Sequence, residues 1–308
     1  MLLFQITYIK RLSVRGAPMI GIAAGMSLVK FWESGASREA VLATAERLRA
    51  SRPTAVNLMV CLDRLIRHET AEAMSKEMEL LQDEDESMCL AMARNGAALV
   101  QEGEHILTHC NTGSLATVGV GTALGVIRVA HEQGKGIHVY VDETRPLLQG
   151  GRLTTYELTK EAIPFTLITD SMAGSLLRDG KVQRVFVGAD RIALNGDFAN
   201  KIGTYSLAAL CHLHNVPFYC VAPSTTIDKD LADGSTIPIE QRNGDEVRGV
   251  VFPNKTVSWA PDGCHVYNPA FDVTPAKFVT AWVLEDCVHS HEDVAAGSLK
   301  ELAATTSS

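Results

Sequence analysis

The chain has 308 residues, of which 46% are hydrophobic and 21% charged, and its formal net charge is −8. That length supplies a large buried core in one or two domains. The acidic balance, uninterrupted by any Lys/Arg cluster, argues against a nucleic-acid surface, which needs a basic footprint, while leaving room for a small anion held by a few placed arginines.

No segment reaches the roughly 20 uninterrupted apolar residues of a membrane span. The seven cysteines are odd in number and irregularly spaced, so neither a disulfide framework nor a CxxC metal pair is expected. Free thiols in a reducing cytoplasm are the simplest expectation. The opening "MLLFQITYIKRLSVRG" is apolar but carries no cationic leader and no small-residue cleavage site, so it does not read as a signal peptide.

Residues 1–100 read as mainly helical. "SVRGAPMIGIAAG" (13–25) sets Arg15 before a Gly-Ala-Pro turn, and a helix over 21–35 closes at Gly35. "SREAVLATAERLRAS" (37–51) has apolar residues at helical spacing, with Ser37 as N-cap and Glu39 in the first turn. "SRPTAVNLMVCLDRLIRHE" (51–69) places Pro53 at a first helical position, just after Arg52. A further helical pattern follows, and the acidic run Asp83–Glu86 reads as a solvated face or a turn.

After residue 100 short apolar runs alternate with helical patterns. Strands are expected at 105–110, 137–143, 165–170, 184–190 and 217–223, and helices at 114–133, 152–162, 171–179 and 201–214. Gly134 and Gly180 fall at C-cap positions. The alternation argues for βαβ units and a parallel sheet, whose ligands bind outside the carboxyl ends of the strands. The tail "AGSLKELAATTSS" reads as frayed. The fold class is therefore α/β: a mainly helical N-terminal domain over 1–100, and a Rossmann-like parallel sheet over 101–308.

Four expected strands end in suggestive residues: Cys110, Asp142–Glu143, Asp170 and Asp190. For Asp170 a helix-capping role is the better reading. Cys110 is expected just before a helix starting near Ser114 or Leu115, where the N-terminal partial charge favours a thiolate and the free N–H groups suit a phosphate. Cys61, Cys89, Cys211, Cys220 and Cys287 fit buried apolar patterns instead. In "GADRIALNGDFANKIGTY" (188–205) Asp190 closes a strand, Asn195-Gly196-Asp197 marks a turn, and Asn200-Lys201 opens the next helix. A carboxyl in an apolar pocket holds its proton to higher pH and can act as an acid; the plain alternative pairs Asp190 with Arg191. Arg15 and Arg52 suit a phosphate. His212 and His214 lie two apart on a helix, so they diverge, and no HExxH-like spacing exists. Gly119, Gly121 and Gly125 fall inside a helical pattern rather than between strand and helix, and read as packing contacts rather than a dinucleotide fingerprint.

The blocks "VRGAPMIGIAA", "SRPTAVNL", "THCNTGSLAT", "VYVDETRPLLQGGRLT", "DSMAG", "VFVGADRIALNGDFANKIGTY" and "VPFYCVAP", in this order from about residue 13 to about residue 285, resemble the methylthioribose-1-phosphate isomerase family. Its superfamily also contains ribose-1,5-bisphosphate isomerases and regulatory subunits of translation initiation factor 2B. The resemblance implies a cofactor-free aldose–ketose isomerase of methionine salvage, acting on a small phosphosugar, usually as a homodimer; no ligand cluster in the sequence calls for a metal, and the free thiols suit the cytoplasm. It places the catalytic cysteine on Cys110 and the proton-donor aspartate on Asp190. Substrate binding falls to Arg15, Gly16, Ala17, Arg52, Gln149, Asn200 and Lys201. The family usually carries a longer stretch before the RGAP block; here fourteen residues precede Arg15, so either a shortened N-terminal subdomain or a true start lying upstream is expected. Two alternatives stay open: an isomerase of another pentose 1-phosphate (5-deoxyribose 1-phosphate or ribose 1,5-bisphosphate), and a non-catalytic subunit like the initiation-factor relatives.

Overall fold

The computed structural model describes residues 6–305 apart from 10, 53–54, 253–254 and 262. The expectation for Pro53 lies outside the described residues. The first hundred residues supply four principal helices: α1 (Ala17–Glu33), α2 (Arg38–Arg49), α3 (Val56–Leu65) and α4 (Ala71–Ala97). Ser37 caps α2 by accepting the Ala40 N–H, and Thr70 caps α4 in the same way from Ala73, which satisfies donors that a helix start leaves unpaired. Leu28, Leu48, Leu58, Leu62, Leu65 and Met74 are fully buried where these helices meet. Such side chains contribute about 1.5–3 kcal/mol each on leaving water.

The rest of the chain builds a seven-stranded sheet ordered β12-β11-β7-β4-β1-β2-β3. Its strands are β1 (His105–Thr108), β2 (His138–Asp142), β3 (Phe165–Ile168), β4 (Arg184–Val187), β7 (Phe218–Val221), β11 (Ala281–Val283) and β12 (Val288–Ser290). Every pairing is parallel except β11 with β12. The helices α5 (Ala123–Glu132), α6 (Thr155–Lys160), α7 (Ala173–Arg178) and α8 (Thr204–His214) lie between the strands. The five strands expected from apolar runs all appear. The central ones are buried on both faces, as covered parallel strands are: β1 and β4 show one half-buried residue each, and β7 none.

A second sheet joins β5 (Arg191–Ile192), β6 (Phe198–Lys201) and β10 (Phe271–Thr274), all antiparallel, and β8 (Gly249–Phe252) pairs with β9 (Lys255–Ser258) as a hairpin. Asn195-Gly196-Asp197 forms the turn between β5 and β6.

The structure corrects several expectations. Residues 114–122 are irregular, and α5 begins only at Ala123. Remote side chains take the hydrogen bonds that a helix would have made. Glu157 accepts from the Ser114 N–H, Asp85 accepts from the Val118 N–H, and Thr112 Oγ1 accepts from the Leu124 N–H. Gly119 and Gly121 therefore sit in a loop, and only Gly125 is helical. Asp85 is buried within α4, not on a solvated face, and burial pushes its carboxyl pKa up. Asn200 and Lys201 end strand β6, and the helix starts at Thr204. Cys287 is exposed, next to the β11–β12 turn. The tail over Ser298–Thr305 is helical, with Leu299 and Ala303 buried.

Candidate active site

Strand order reverses between β1 and β4. From β1 the chain proceeds outward to β2 and β3; from β4 it proceeds the other way to β7. Crossovers then leave in opposite directions and open a crevice at the carboxyl ends of these two strands. The register pairs Thr108 with Phe186, so Cys110 and Gly188 emerge level, with Asp190 two residues further on. One cavity sits there, and all nine sequence-predicted residues line it. The sheet rim contributes Cys110 and Asp190, strand β6 contributes Asn200 and Lys201, and the loop after β2 contributes Gln149. The helical layer covers the opening with Arg15, Gly16 and Ala17 at the start of α1, and with Arg52 just after α2.

Cys110 adopts a left-handed backbone conformation, φ 67°, which costs a residue with a Cβ about 1–2 kcal/mol. Two threonines hold it there. Its N–H donates to Thr144 Oγ1 at 2.8 Å, and Thr154 Oγ1 donates to its carbonyl at 2.7 Å. Arg15 reaches across from the helical layer: Nη1 donates to Asn111 Oδ1 at 2.8 Å, and Nη2 lies 3.7 Å from Cys110 Sγ. Asn111 is fixed in turn by the buried Glu157, to which it donates at 2.6 Å. Gly16 has φ 89°, and a Cβ there would lie 2.3 Å from the Ala116 carbonyl oxygen. Only glycine permits this approach, and it lets α1 direct its electropositive end at the cavity.

Burial pushes the Asp190 carboxyl pKa above its ordinary value, against the pull of Lys201, Arg52 and Arg15. Arg191 bonds Asp228 at 2.9 Å. Burial likewise lowers the Lys201 pKa, against the opposing pull of Cys110 and Asp190. Lys201 Nζ donates to the Ala270 carbonyl at 2.9 Å and lies 4.4 Å from the centre of the Phe271 ring. Asn200 donates to Thr204 Oγ1 at 3.0 Å. Two buried polar atoms of the lining, Gln149 Oε1 and Arg52 Nε, have no hydrogen-bond partner among the described residues. Such atoms are costly to leave unpaired, and here they offer an acceptor and a donor to whatever enters.

Asp142 and Asp170 do not line the cavity. Asp170 accepts the N–H groups of Thr144 and Arg145 and so braces the loop that holds Cys110. Sequence reasoning missed His109, Asn111, Glu157 and Arg242. Asn111 and His109 flank Cys110 in "THCNTG", and adjacency was the available signal. Arg242 lies in an irregular stretch with no motif; it lines the cavity but is bonded to Glu240 and Glu246.

The sequence pattern of the initiation factor 2 subunit family matches residues 13–288, and the chain belongs to that family. Its relatives include proteins named methylthioribose-1-phosphate isomerase. That of Klebsiella pneumoniae (strain 342) is 55% identical over 297 residues, 95% of this chain and 87% of the relative. That of Cronobacter sakazakii is 56% identical over 294 residues, 94% and 87%. Among solved structures, the 5-methylthioribose 1-phosphate isomerase of Pyrococcus horikoshii OT3 superposes with a TM-score of 0.86 at 41% identity, covering 98% of this chain and 88% of the other. A chain described as translation initiation factor eIF-2B, subunit delta, from A. fulgidus superposes with a TM-score of 0.83 at 40% identity, covering 98% and 91%.

Proposed function

We infer that the protein is an aldose–ketose isomerase that converts 5-methylthioribose 1-phosphate to 5-methylthioribulose 1-phosphate, with Cys110 and Asp190 as its proton-transfer pair. The observation that carries this reading is the one cavity in which a thiol and a carboxyl whose pKa burial raises meet Arg15, Arg52 and Lys201. The relatives of matching name, more than half identical over nearly the whole chain, support the same substrate.

The reaction has a particular difficulty. The anomeric oxygen carries phosphate, so the ring cannot open to a free aldehyde. Asp190, protonated, donates to the ring oxygen as the C1–O bond of the ring breaks. Cys110, as thiolate, takes the proton from C2 and returns it to C1, while the Asp190 carboxylate takes the proton of the C2 hydroxyl as the C2 carbonyl forms, which restores both groups. Arg15, Arg52, Lys201 and the start of α1 hold the phosphate and the developing negative charge. Gln149 Oε1 and Asn200 meet sugar hydroxyls. Ile20, Ala55, Ala116 and Phe271 form the apolar wall; the wall keeps water from the intermediate and suits an apolar C5 substituent.

A 5-phosphate would need a further free cation. Arg242 is the cation at hand, but both oxygens of Glu246 and one of Glu240 engage it, whereas Arg52 shares only one bond with Glu240, at 3.1 Å, and keeps Nε free among the described residues, which favours thiomethyl or methyl at C5. Residues 1–100 and 101–308 are read as two domains meeting at this cavity, and the working unit as a cytoplasmic homodimer, as the family resemblance implies. The test is incubation of the purified protein with 5-methylthioribose 1-phosphate, 5-deoxyribose 1-phosphate and ribose 1,5-bisphosphate, following ketose formation. Turnover fastest with the first supports the reading. Preference for either of the others moves the substrate, and no turnover of any favours a non-catalytic subunit.

A further inference from the structure

His109 is 1% exposed and directly precedes Cys110. Its ring spans two parts of the site. Nδ1 lies 2.9 Å from Asp142 Oδ2 at the end of β2, and Nε2 lies 3.0 Å from the Ile202 carbonyl oxygen. Ile202 follows Lys201 in the turn between β6 and α8, so the ring joins the Cys110 end of the main sheet to the strand carrying Asn200 and Lys201. The turn is shaped to receive it. Gly203, φ 105°, packs against the ring, and a Cβ there would lie 3.0 Å from His109 Cε1. Asp272 secures the far side by accepting the N–H groups of Gly203 and Tyr205. Asp142 has a second route to Cys110: its carbonyl accepts from Thr144 Oγ1, which itself accepts the Cys110 N–H.

Both ring nitrogens face oxygen acceptors, a carboxylate and a carbonyl, and both are satisfied when both carry protons. The groups facing the ring are Asp142 from β2, Asp170 after β3, Asp272 from β10 and Cys110 itself. Burial opposes the ring's charge, but its hydrogen bond to Asp142 and the neighbouring negative groups outweigh that and raise its pKa to about 9.

We propose that His109 is a positioning residue: paired with Asp142, it is a cationic strut that sets Cys110 against the Asn200–Lys201 strand and keeps a fixed positive charge beside the thiol. The kinetic part of its test rests on the isomerase reading; the chemical part does not.

Two substitutions separate the bonds. The amide nitrogen of Asn falls near the position of Nδ1, and that of Gln near Nε2. His109→Asn keeps the bond to Asp142 and drops the one to Ile202; His109→Gln does the reverse. Turnover of 5-methylthioribose 1-phosphate is expected to fall at least tenfold in kcat for His109→Asn, with KM changed less than threefold, because Arg15, Arg52 and Gln149 are untouched. His109→Gln is expected to recover part of kcat. Independently of substrate, iodoacetamide labelling of Cys110 is followed against pH by peptide mass spectrometry. Both variants lack the positive charge, so the labelling midpoint is expected to move upward by about half a unit or more. If either variant fails to fold, Asp142→Asn replaces it: the ring and the volume stay, but without its counter-charge the buried ring gives up its proton, so the positive charge beside the thiol is lost and the midpoint shifts the same way. Unchanged labelling profiles in the folded variants overturn the fixed charge. Wild-type kcat in His109→Asn overturns the strut. Absence of turnover in the wild-type protein overturns the isomerase reading alone, and labelling then decides the proposal.

Discussion

Glu157→Gln tests how the cavity's outer support is built. Glu157 is buried and accepts three hydrogen bonds, from Asn111 Nδ2 at 2.6 Å and from the N–H and the Oγ of Ser114, both at 2.7 Å. An amide in its place keeps one acceptor. If that oxygen faces Ser114, both bonds weaken from charge-assisted to neutral, about 1 kcal/mol each. The new NH2 then faces the Asn111 NH2, and an unpaired buried donor costs about 1–3 kcal/mol. Turning Asn111 over only moves the conflict, because its amide would then face the Arg15 guanidinium. A neutral amide is easier to bury than a carboxylate, which returns part of the loss. The net destabilisation is about 2–4 kcal/mol. At about 2 °C per kcal/mol for a chain of this size, the melting temperature drops by about 4–8 °C. Arg15 also loses its fixed partner, and one such bond is worth about tenfold in substrate affinity. Calorimetry gives the melting temperature, and steady-state kinetics give the tenfold rise in KM. A variant that melts within 1 °C of wild type with its KM unchanged would refute the claim that Glu157 organises Asn111 and Arg15.

Cys110→Ser and Asp190→Asn should each lose about 10²- to 10⁴-fold in kcat, with circular dichroism and melting close to wild type; a normal rate in either removes that residue from the proton-transfer pair. The Asp190 carboxyl is raised by burial and must donate a proton, so kcat/KM falls as pH rises through that raised value, and the alkaline limb should vanish in Asp190→Asn. The His109 ring is raised from 6.5 to about 9. Its contribution to stability is complete below pH 6.5 and is lost as pH rises through about 9, so His109→Gln should flatten the decline in melting temperature over that window. Deuterium at C2 of the substrate should wash into solvent; full retention at C1 would indicate hydride transfer instead.

The five expected strands were legible because each is a short run rich in apolar residues between turn signals, and the buried β1, β4 and β7 read as near-continuous apolar stretches, while β3 lies at the edge and is partly exposed. The convergence of Arg15, Arg52, Gln149 and Lys201 was legible only through their motif blocks, since more than 180 residues separate the first from the last. Residues 114–122 show the limit. "SLATVGVG" has the small apolar composition of a packed helix, but the groups that unwind it are Glu157 and Asp85, remote in sequence. Likewise Asn200 and Lys201 form a strand because β10, seventy residues on, pairs with them. His109 went unread because a histidine's role depends on what faces both its nitrogens, and Asp142 and Ile202 come from other turns of the chain.

The reversal of strand order between β1 and β4 also bears on how such proteins diverge. Sulfur and carboxyl each stand on a loop tip a few residues beyond a strand, while packing, register and the cationic cradle belong to the framework beneath. If the proposed roles of Cys110 and Asp190 hold, exchanging the two tips would silence the chemistry and leave a hollow that still admits a sugar phosphate. On the proposed reading, two side chains on this scaffold are the mutational distance between a chain that turns a sugar phosphate over and one that only holds it.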